Sequence, residues 1–439
     1  MTTTKNNEHK KLNFSNEREQ SQACLNSAEH EKNQGRKVLN VPNLRFPEFQ
    51  GEWEKCNVSD LLDFYSTNSL SWDKLEYGTD AIQNLHYGLI HVGLPTMIDL
   101  SKDKLPNITN GNTPKNYELC QEGDIAFADA SEDTNEVAKA VEFYKLNGKD
   151  VICGLHTIHG RDNQQKTVVG YKGYAFSSTA FHNQIRRIAQ GTKIYSINSK
   201  NFSECYIGIP SKEEQKKIAT LLRLIDERIA TQNKIIEKLQ SLIKGISNKL
   251  LNSKEGMLVR LGAILKERSE KTKKNNQYAV LSSTVNGLFS QRDYFLKDIA
   301  SENNVGYKII RLHDVVLSPQ NLWMGNINYN DKFGIGIVSP SYKVFLISDD
   351  YDKRYVAAML KTHRALYDYQ LISEQGASVV RRNLNLESFG QLVFRIPPLD
   401  KQREIGKTIS LLKSRLETES MLRATYQSQK QYLLRQMFI

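Results

Sequence analysis

Cys153, His156 and His159 have residue types and a close spacing that a metal ion could use. A structural zinc site needs four ligands, and a catalytic site needs three together with a water molecule. The run Val151-Ile152-Cys153 is also typical of a buried strand, and the sequence offers no evident fourth ligand nearby. We therefore predict that this chain has no metal site.

Other catalytic motifs are present only as fragments. Gly406-Lys407-Thr408 resembles the end of a phosphate-binding loop, but Lys401 stands where that loop needs its first glycine. Glu214-Gln215-Lys216 has a nuclease-like Glu-x-Lys spacing, but Ser211 and Glu214 have the form of a capping box at a helix start. The sequence also lacks the Asn-Pro-Pro-aromatic and Asp-Pro-Pro-Tyr motifs of adenine-N6 methyltransferases. These observations predict a chain without catalytic residues.

Arginine, lysine, asparagine and glutamine side chains on loops are the types that contact DNA. Arginine binds phosphates and guanine edges, and asparagine and glutamine bind adenine. The pairs Arg186-Arg187 and Arg381-Arg382 precede a repeated strand and helix at comparable places, so they are the leading candidates. The alternative for each side chain is an ordinary solvated surface. The further candidates are Lys193, Lys271, Lys273, Lys274, Gln320 and Asn321.

The composition permits a nucleic-acid partner. Among 439 residues, 60 are Lys or Arg and 49 are Asp or Glu, and the net charge of +11 favours a polyanion. The five cysteines show no Cys-x-x-Cys spacing, as expected in a reducing compartment. The sequence has neither a signal-peptide pattern nor an apolar run of membrane-spanning length. We expect a cytoplasmic protein with no membrane association.

The elements that position the candidate residues occur twice. Ile209–Ile218 returns as Ile396–Ile405, at an offset of 187 residues (396 − 209 = 187). Gly123–Phe127 resembles His313–Leu317 at a slightly different offset. The chain therefore contains two copies of one plan, in which a mixed segment and an Ile-Pro strand end precede a long helix.

Each copy ends in a long predicted helix with a narrow apolar seam. With Gln232 filling one polar position of the first seam, the steps between seam residues alternate between four and three, which is typical of paired helices. The first seam contains Ile218, Leu222, Ile225, Ile229, Ile236, Leu239 and Ile243, and the second contains Ile405, Ile409, Leu412 and Leu416. We predict an antiparallel coiled coil, with the polar residues Glu419 and Arg423 fixing its register. Packing of each helix on its own domain is the alternative.

The predicted fold class is α+β, with two mixed α/β domains, two long helices and a pseudo-two-fold duplication. Residues 1–40 are polar and almost without an apolar pattern, which predicts a disordered leader. We place the mixed domains at 41–210 and 255–396 and the spacer helices at 211–254 and 397–439. Within the second domain, Tyr355–Tyr369 is predicted to form one amphipathic helix.

Several blocks resemble type I restriction-modification specificity subunits. Pro42–Trp53 resembles their opening segment, and Gly336–Tyr342 resembles a segment of their recognition domains. The blocks beginning Ile209-Pro210 and Ile396-Pro397 resemble the two that open the long helices of that family. The resemblance covers residues 41–439, and two such blocks at domain spacing make it specific.

The resemblance implies that 41–210 and 255–396 are target recognition domains, each reading one half of a split sequence in double-stranded DNA. It also implies that the spacer helices dock two methyltransferase (modification) subunits, and that restriction/translocase subunits complete the complex. S-adenosylmethionine, ATP and Mg²⁺ are then expected in the partner subunits, and no cofactor in this chain. Because the two mixed segments share little sequence, we expect an asymmetric target.

Two alternatives remain open. A coiled-coil scaffold that binds only protein predicts no DNA affinity even with partners present. A fused methyltransferase or nuclease needs a cofactor motif, and methyl transfer by the purified chain alone would support it.

Overall fold

The computed structural model describes residues 39–197, 199–251, 255–294, 303–375 and 382–439. They form two compact units. Unit 1 contains the described residues up to Glu227 together with Gln427–Ile439, and unit 2 contains the described residues from Arg228 to Tyr426. Both units contain sheets and helices, which confirms the α+β class. Residues 1–38 of the predicted leader lie outside the described residues. No helix in the described ranges is both long and apolar enough to cross a membrane.

Unit 1 contains two larger sheets with an apolar core formed from residues of both. The five-stranded sheet has the order Asp63–Tyr65, Thr157–Arg161, Ile125–Ala128, Ala140–Lys145, Met97–Asp99. The four-stranded sheet has the order Val151–Cys153, Gln83–Leu85, Asn107–Ile108, Leu75–Glu76. Strand pairs form between Glu54–Asn57 and Tyr206–Ile209, and between Ala130–Ser131 and Tyr195–Ser196. The shorter helices are Val58–Leu61, Trp72–Lys74, Tyr87–His91, Lys172–Phe176, Thr179–Ile188 and Ser199–Glu204.

Unit 2 is built around one four-stranded sheet, whose order is Leu265–Arg268, Lys343–Ile347, Val315–Leu317, Ile327–Tyr329. The strand pairs are Met257–Arg260 with Val393–Ile396, Leu281–Thr284 with Gly287–Ser290, Lys308–Arg311 with Ile335–Val338, and Ser373–Gln375 with Arg382–Leu384. The shorter helices are Leu261–Ile264, Gln291–Tyr294, Leu322–Met324, Lys353–Met359, His363–Leu371 and Leu386–Gln391.

The two units repeat one sheet pattern. The first four strands of the five-stranded sheet in unit 1 pair antiparallel, as do the four strands in unit 2. Asp124 and Asp314 precede the equivalent inner strands, and each carboxylate accepts the backbone N–H three residues earlier, at 2.8 and 2.6 Å. The preceding residues, Gly123 and His313, both adopt positive φ angles of 91° and 74°. The shared sequence at these positions therefore encodes a shared turn.

A buried glutamine explains why the Ile-Pro block is repeated. Gln215 and Gln402 each donate from Nε2 to the carbonyl of the first proline in their own block, at 2.9 Å. The Oε1 atom of Gln215 accepts the N–H of Val168 at 2.8 Å, and that of Gln402 accepts the N–H of Asp352 at 3.0 Å. In each unit this side chain therefore holds the strand end, the helix start and a neighbouring segment together.

Two long helices follow the repeated blocks: the central helix, Lys212–Leu251, and the C-terminal helix, Leu399–Gln436. In unit 2, Gln232 Nε2 donates to the backbone carbonyl of Glu419 at 3.2 Å. In unit 1, Asp226, which precedes Gln232 in the central helix, pairs with Lys430, which follows Glu419 in the C-terminal helix, at 2.7 Å. Later residues of one helix thus meet earlier residues of the other, so the two helices run antiparallel.

Two local predictions need correction. The single helix predicted for Tyr355–Tyr369 is wrong, because Lys353–Met359 and His363–Leu371 are separate helices. The hydroxyl of Thr362 caps the second one, which favours a new helix start over continuation. The capping box is only half formed. Ser211 Oγ accepts the N–H of Glu214 at 3.3 Å, but the Glu214 carboxylate instead binds Arg45 at 2.8 Å.

Candidate nucleic-acid interface

Each unit presents a loop packed against a hairpin. In unit 1, the loop 129–139 follows an inner strand and pairs with the hairpin 189–197 through Ala130–Ser131 and Tyr195–Ser196. In unit 2, the loop 318–326 follows the equivalent strand, and the Gln320 carbonyl accepts the N–H of Arg382 at 3.2 Å. We call these the loop–hairpin surfaces. The surface of unit 1 consists of 129–139 and 189–197, and that of unit 2 of 318–326, 372–375 and 382–384.

The predicted unit 1 candidates lie at or beside its loop–hairpin surface. Arg186 and Arg187 are exposed in the last turn of the helix Thr179–Ile188, which leads into the hairpin. The Arg186 guanidinium donates to Asn135 Oδ1 at 3.0 Å and also to Asn183 Oδ1. Lys193 is exposed within the hairpin itself. These hydrogen bonds hold Arg186 against the loop. A DNA phosphate or base could replace Asn135 as the partner of the guanidinium.

In unit 2, the structure brings Gln320, Asn321 and Arg382 together. Gln320 is exposed and Asn321 is half-buried in the loop. The Arg382 guanidinium lies over the ring of Trp323, 5.1 Å from its centroid, a favourable cation–π arrangement. Arg381, the other member of this predicted pair, lies outside the described residues.

The three predicted lysines of unit 2 lie on a different segment. Lys271, Lys273 and Lys274 are exposed, and the backbone of Lys271 forms an antiparallel bridge with Lys308. Burial, together with repulsion from Lys343, lowers the pKa of Lys308. Burial is the larger of these two causes, so the shift reflects mainly the position of Lys308 within unit 2.

Sequence reasoning missed an aromatic and histidine group that borders the unit 1 surface. Ring centroids of Trp72 and His86 lie 4.6 Å apart, and those of His86 and Tyr87 4.7 Å apart. His91 Nε2 contacts the Ala130 carbonyl at 2.9 Å, which joins the group to the loop. Burial, together with repulsion from His156, lowers the pKa of His86. The adjacent His86-Tyr87 pair was the available sequence signal, but its distance from Trp72 along the chain concealed the contact.

The residues of the predicted helix seams are all buried or half-buried. The buried members are Ile218, Leu222, Ile225, Ile236, Ile405 and Ile409, and the half-buried members are Ile229, Leu239, Ile243, Leu412 and Leu416. Glu419 is buried and Arg423 is half-buried. Glu419 accepts a side-chain hydrogen bond from Gln232 and pairs with Arg415. Glu419 therefore has partners on both long helices, whereas the buried Nε of Arg423 has no hydrogen-bond partner among the described residues.

The three residues considered for a metal do not form one cluster. His156 is exposed, and its Nδ1 lies 3.2 Å from Asp129 Oδ1. Cys153 and His159 are buried elsewhere, next to Cys120. Sequence spacing alone could not identify Cys120 as their neighbour.

These features define a class of protein: a duplicated α+β chain with two long paired helices and a polar loop–hairpin surface in each unit. Residues 104–241 match the family described as the type I restriction modification DNA specificity domain. The type I restriction enzyme MjaX specificity subunit of Methanocaldococcus jannaschii is 27% identical over 219 residues, 49% of this chain and 49% of the relative. The chain therefore aligns with about half the length of that relative.

A solved structure has a similar fold. The type I restriction-modification S subunit of M. genitalium has a TM-score of 0.59 and 16% identity, covering 91% of this chain and 99% of that one. At that identity the likeness concerns the fold alone. Together with the domain match, it confirms the resemblance of this chain to type I specificity subunits.

Proposed function

We propose that this chain is the DNA sequence-specificity subunit of a type I restriction-modification complex and that it reads an asymmetric, split target. The observation that carries the proposal is the pair of loop–hairpin surfaces, which occupy equivalent places in the two units but carry different residues. Unit 1 presents Arg186 and Lys193, whereas unit 2 presents Gln320, Asn321 and Arg382. Equivalent surfaces with different side chains suit two different half-sites.

The side-chain chemistry supports direct reading of bases. Arginine binds the O6 and N7 atoms of guanine, and glutamine or asparagine binds the N6 and N7 atoms of adenine. The long helices suit the spacer role that the resemblance implies. The central helix has 40 residues and spans about 60 Å at the helical rise per residue. Half-sites on one face of DNA recur roughly every 34 Å, a separation within reach of a spacer of that length.

Exposed apolar residues on the long helices support protein partners. Leu224 is 49% exposed and Leu411 is 61% exposed, and they are equivalent under the repeat (411 − 224 = 187). Ile235 and Leu422 form a second equivalent pair, with exposures of 37% and 38% (422 − 235 = 187). Large apolar side chains outside the seam gain stability when a partner covers them. Their recurrence in both copies suits two copies of one partner, which we propose to be adenine-N6 methyltransferase subunits.

The remaining expectations belong to the same proposal. The chain recognises DNA without catalysing a reaction, and S-adenosylmethionine, ATP and Mg²⁺ act in its methyltransferase and restriction partners. The recognition domains are 41–210 and 255–396, the spacer helices are 211–254 and 397–439, and the complex works in the cytoplasm. The absence of methyltransferase and nucleotide-binding motifs from the sequence supports the non-catalytic part.

The decisive experiment is a map of methylated adenines in cells with and without this chain. We expect deletion to abolish methylation at one split motif and to leave other motifs unchanged. Restoration with a variant in which the unit 2 loop 318–326 is replaced should change or abolish recognition of one half only. An unchanged map after deletion would contradict the proposal. Methyl transfer by the purified chain alone would favour an enzyme, and absence of DNA affinity in the complex would favour a scaffold.

A further inference from the structure

Three potential metal ligands meet inside unit 1. Cys120 Sγ, Cys153 Sγ and a ring nitrogen of His159 all lie within 4.8 Å of one another. The two sulfurs are 3.6 Å apart, and the side chains are 5%, 1% and 0% exposed. Two sulfurs bound tetrahedrally to one zinc ion, each at about 2.3 Å, would lie roughly 3.8 Å apart. The observed separation therefore suits a shared cation.

The histidine is oriented as metal-binding histidines are. His159 Nε2 lies 2.7 Å from Asp124 Oδ2, and Arg161 donates to the same carboxylate at 2.8 Å. An ionised carboxylate can only accept hydrogen bonds, so Nε2 carries the proton and Nδ1 of a neutral ring presents a lone pair. A carboxylate on the far nitrogen fixes this orientation in many metal sites.

The second ring nitrogen of His159, Nδ1, has no other role among the described residues. This atom is buried and has no hydrogen-bond partner there. A buried polar atom without a partner costs about 1–3 kcal/mol, so a cation at this position would remove a specific penalty. The lone pair of Nδ1 is therefore available to a cation.

Unit 2 has different residues at the equivalent positions. Asp124 and Asp314 are equivalent, so Ala126 corresponds to Val316, two residues further along each strand. His159 pairs with Ala126, and Val344 pairs with Val316, which makes His159 equivalent to Val344.

The cysteines have aliphatic counterparts as well. Leu119 pairs with Ile152 in unit 1 as Ile309 pairs with Ile337 in unit 2. The residue that follows each of these four is therefore also equivalent to its counterpart in the other unit. Cys120 corresponds to Ile310 and Cys153 to Val338. The three counterparts, Ile310, Val338 and Val344, belong to one apolar cluster. Unit 2 thus has aliphatic side chains at these three positions, whereas unit 1 has two cysteines and a histidine, which can bind a metal ion.

We propose that Cys120, Cys153 and His159 bind one thiophilic d¹⁰ cation, zinc or copper(I), inside unit 1. Binding displaces the two thiol protons to solvent, so two thiolates and a neutral imidazole leave a zinc site uncharged. Thiolate and imidazole ligands suit both ions. Zinc takes a fourth ligand in addition, whereas copper(I) accepts three. The cation would cross-link Cys153, in the four-stranded sheet, to His159, in the five-stranded sheet. The sequence predicted no metal because Val151-Ile152-Cys153 is typical of a buried strand and no fourth ligand was evident, and spacing could not reveal Cys120 as a neighbour.

The first measurement is the metal content of the full chain, purified under reducing conditions without chelator. We expect about one equivalent of zinc or copper per chain, and elemental analysis distinguishes the two. Cys120→Ser should lose the metal, whereas Cys205→Ser, at another buried cysteine of unit 1, should retain it. Wild type unfolded with chelator and refolded with Co²⁺ should develop thiolate-to-cobalt absorption.

A second variant keeps the test decisive if Cys120→Ser does not fold. The triple variant Cys120→Ile/Cys153→Val/His159→Val copies unit 2 and should fold without metal. Chelation during refolding should lower the melting temperature of wild type and leave that of the triple variant unchanged. The proposal is overturned if wild type carries no stoichiometric zinc or copper and refolding with Zn²⁺, Cu⁺ or Co²⁺ changes neither absorption nor melting temperature. A Cys120–Cys153 disulfide in the metal-free purified protein would also overturn it.

Discussion

The side chain of Gln232 donates to the backbone carbonyl of Glu419, the residue that is its own counterpart under the 187-residue repeat (419 − 232 = 187). The Glu419 carboxylate also accepts from Gln232, and Arg415 pairs with it from one helical turn away. Equivalent residues of two antiparallel helices can face one another only where a local two-fold axis passes between the helices. The buried polar pair therefore marks the centre of the helix pairing, and any shift in register would separate it.

Replacing Gln232 and Glu419 tests this role. Gln232→Leu should destabilise the protein by about 1–3 kcal/mol, because it removes a donor from a buried carboxylate. The double variant Gln232→Leu/Glu419→Leu should recover most of that loss, since an apolar pair can replace a buried polar one. Urea denaturation of the wild type, both single variants and the double variant gives the coupling energy. Simple additivity of the two single effects would contradict the contact, and the exposed Glu417→Gln serves as control.

The sequence predicted those features that depend on local patterns. The repeat offset and the heptad steps located both long helices, whose observed bounds are Lys212–Leu251 and Leu399–Gln436. Gln215 and Gln402 lie at matching positions of the repeated blocks, although only the fold shows which backbone groups they bind. Contacts set by strand register could not be predicted. Cys120 meets Cys153 across 33 residues, a contact that spacing within a single segment cannot reveal.

The repeated exposed leucines predict where the methyltransferase partners bind. Leu224→Glu or Leu411→Glu should each remove one of two partner copies, because a charge in an apolar contact must be desolvated on binding. Native mass spectrometry of the co-expressed complex gives the stoichiometry. Ala230→Glu is the matched control, since the equivalent position in the second copy is Glu417 and both residues are exposed. Full stoichiometry in both leucine variants would rule out docking at these positions.

The arginines of the two surfaces should differ in how they affect DNA binding. Arg186→Ala/Arg187→Ala should weaken binding of the assembled complex at all sequences and flatten its salt dependence if these residues grip phosphates. Arg382→Ala should cost about 1–3 kcal/mol on the correct target and relax specificity in one half-site if it contacts a base. Titrations of target and scrambled duplexes over a range of salt concentrations separate these effects. Arg403→Ala, at an exposed arginine of the C-terminal helix, is the control. Equal losses in all three variants would show that none acts at a specific site.

Lys361 predicts how the stability of unit 2 depends on pH. Burial, with repulsion from Lys413, lowers the pKa of Lys361 to about 8, while its Nζ donates to Asn328 Oδ1 at 2.7 Å. An unfolded lysine has a pKa of about 10.4, so the unfolded chain binds the additional proton between those values. Stability should therefore rise from about pH 8 to about pH 10.4, as the penalty for a buried ammonium group disappears. Lys361→Met lacks that penalty, and its advantage in melting temperature over wild type should be greatest at pH 7 and should shrink as the pH rises. Lys401→Met, at an exposed lysine of the same unit, should follow the wild-type profile. A constant difference between Lys361→Met and wild type across this range would show that the ammonium group is not penalised by burial.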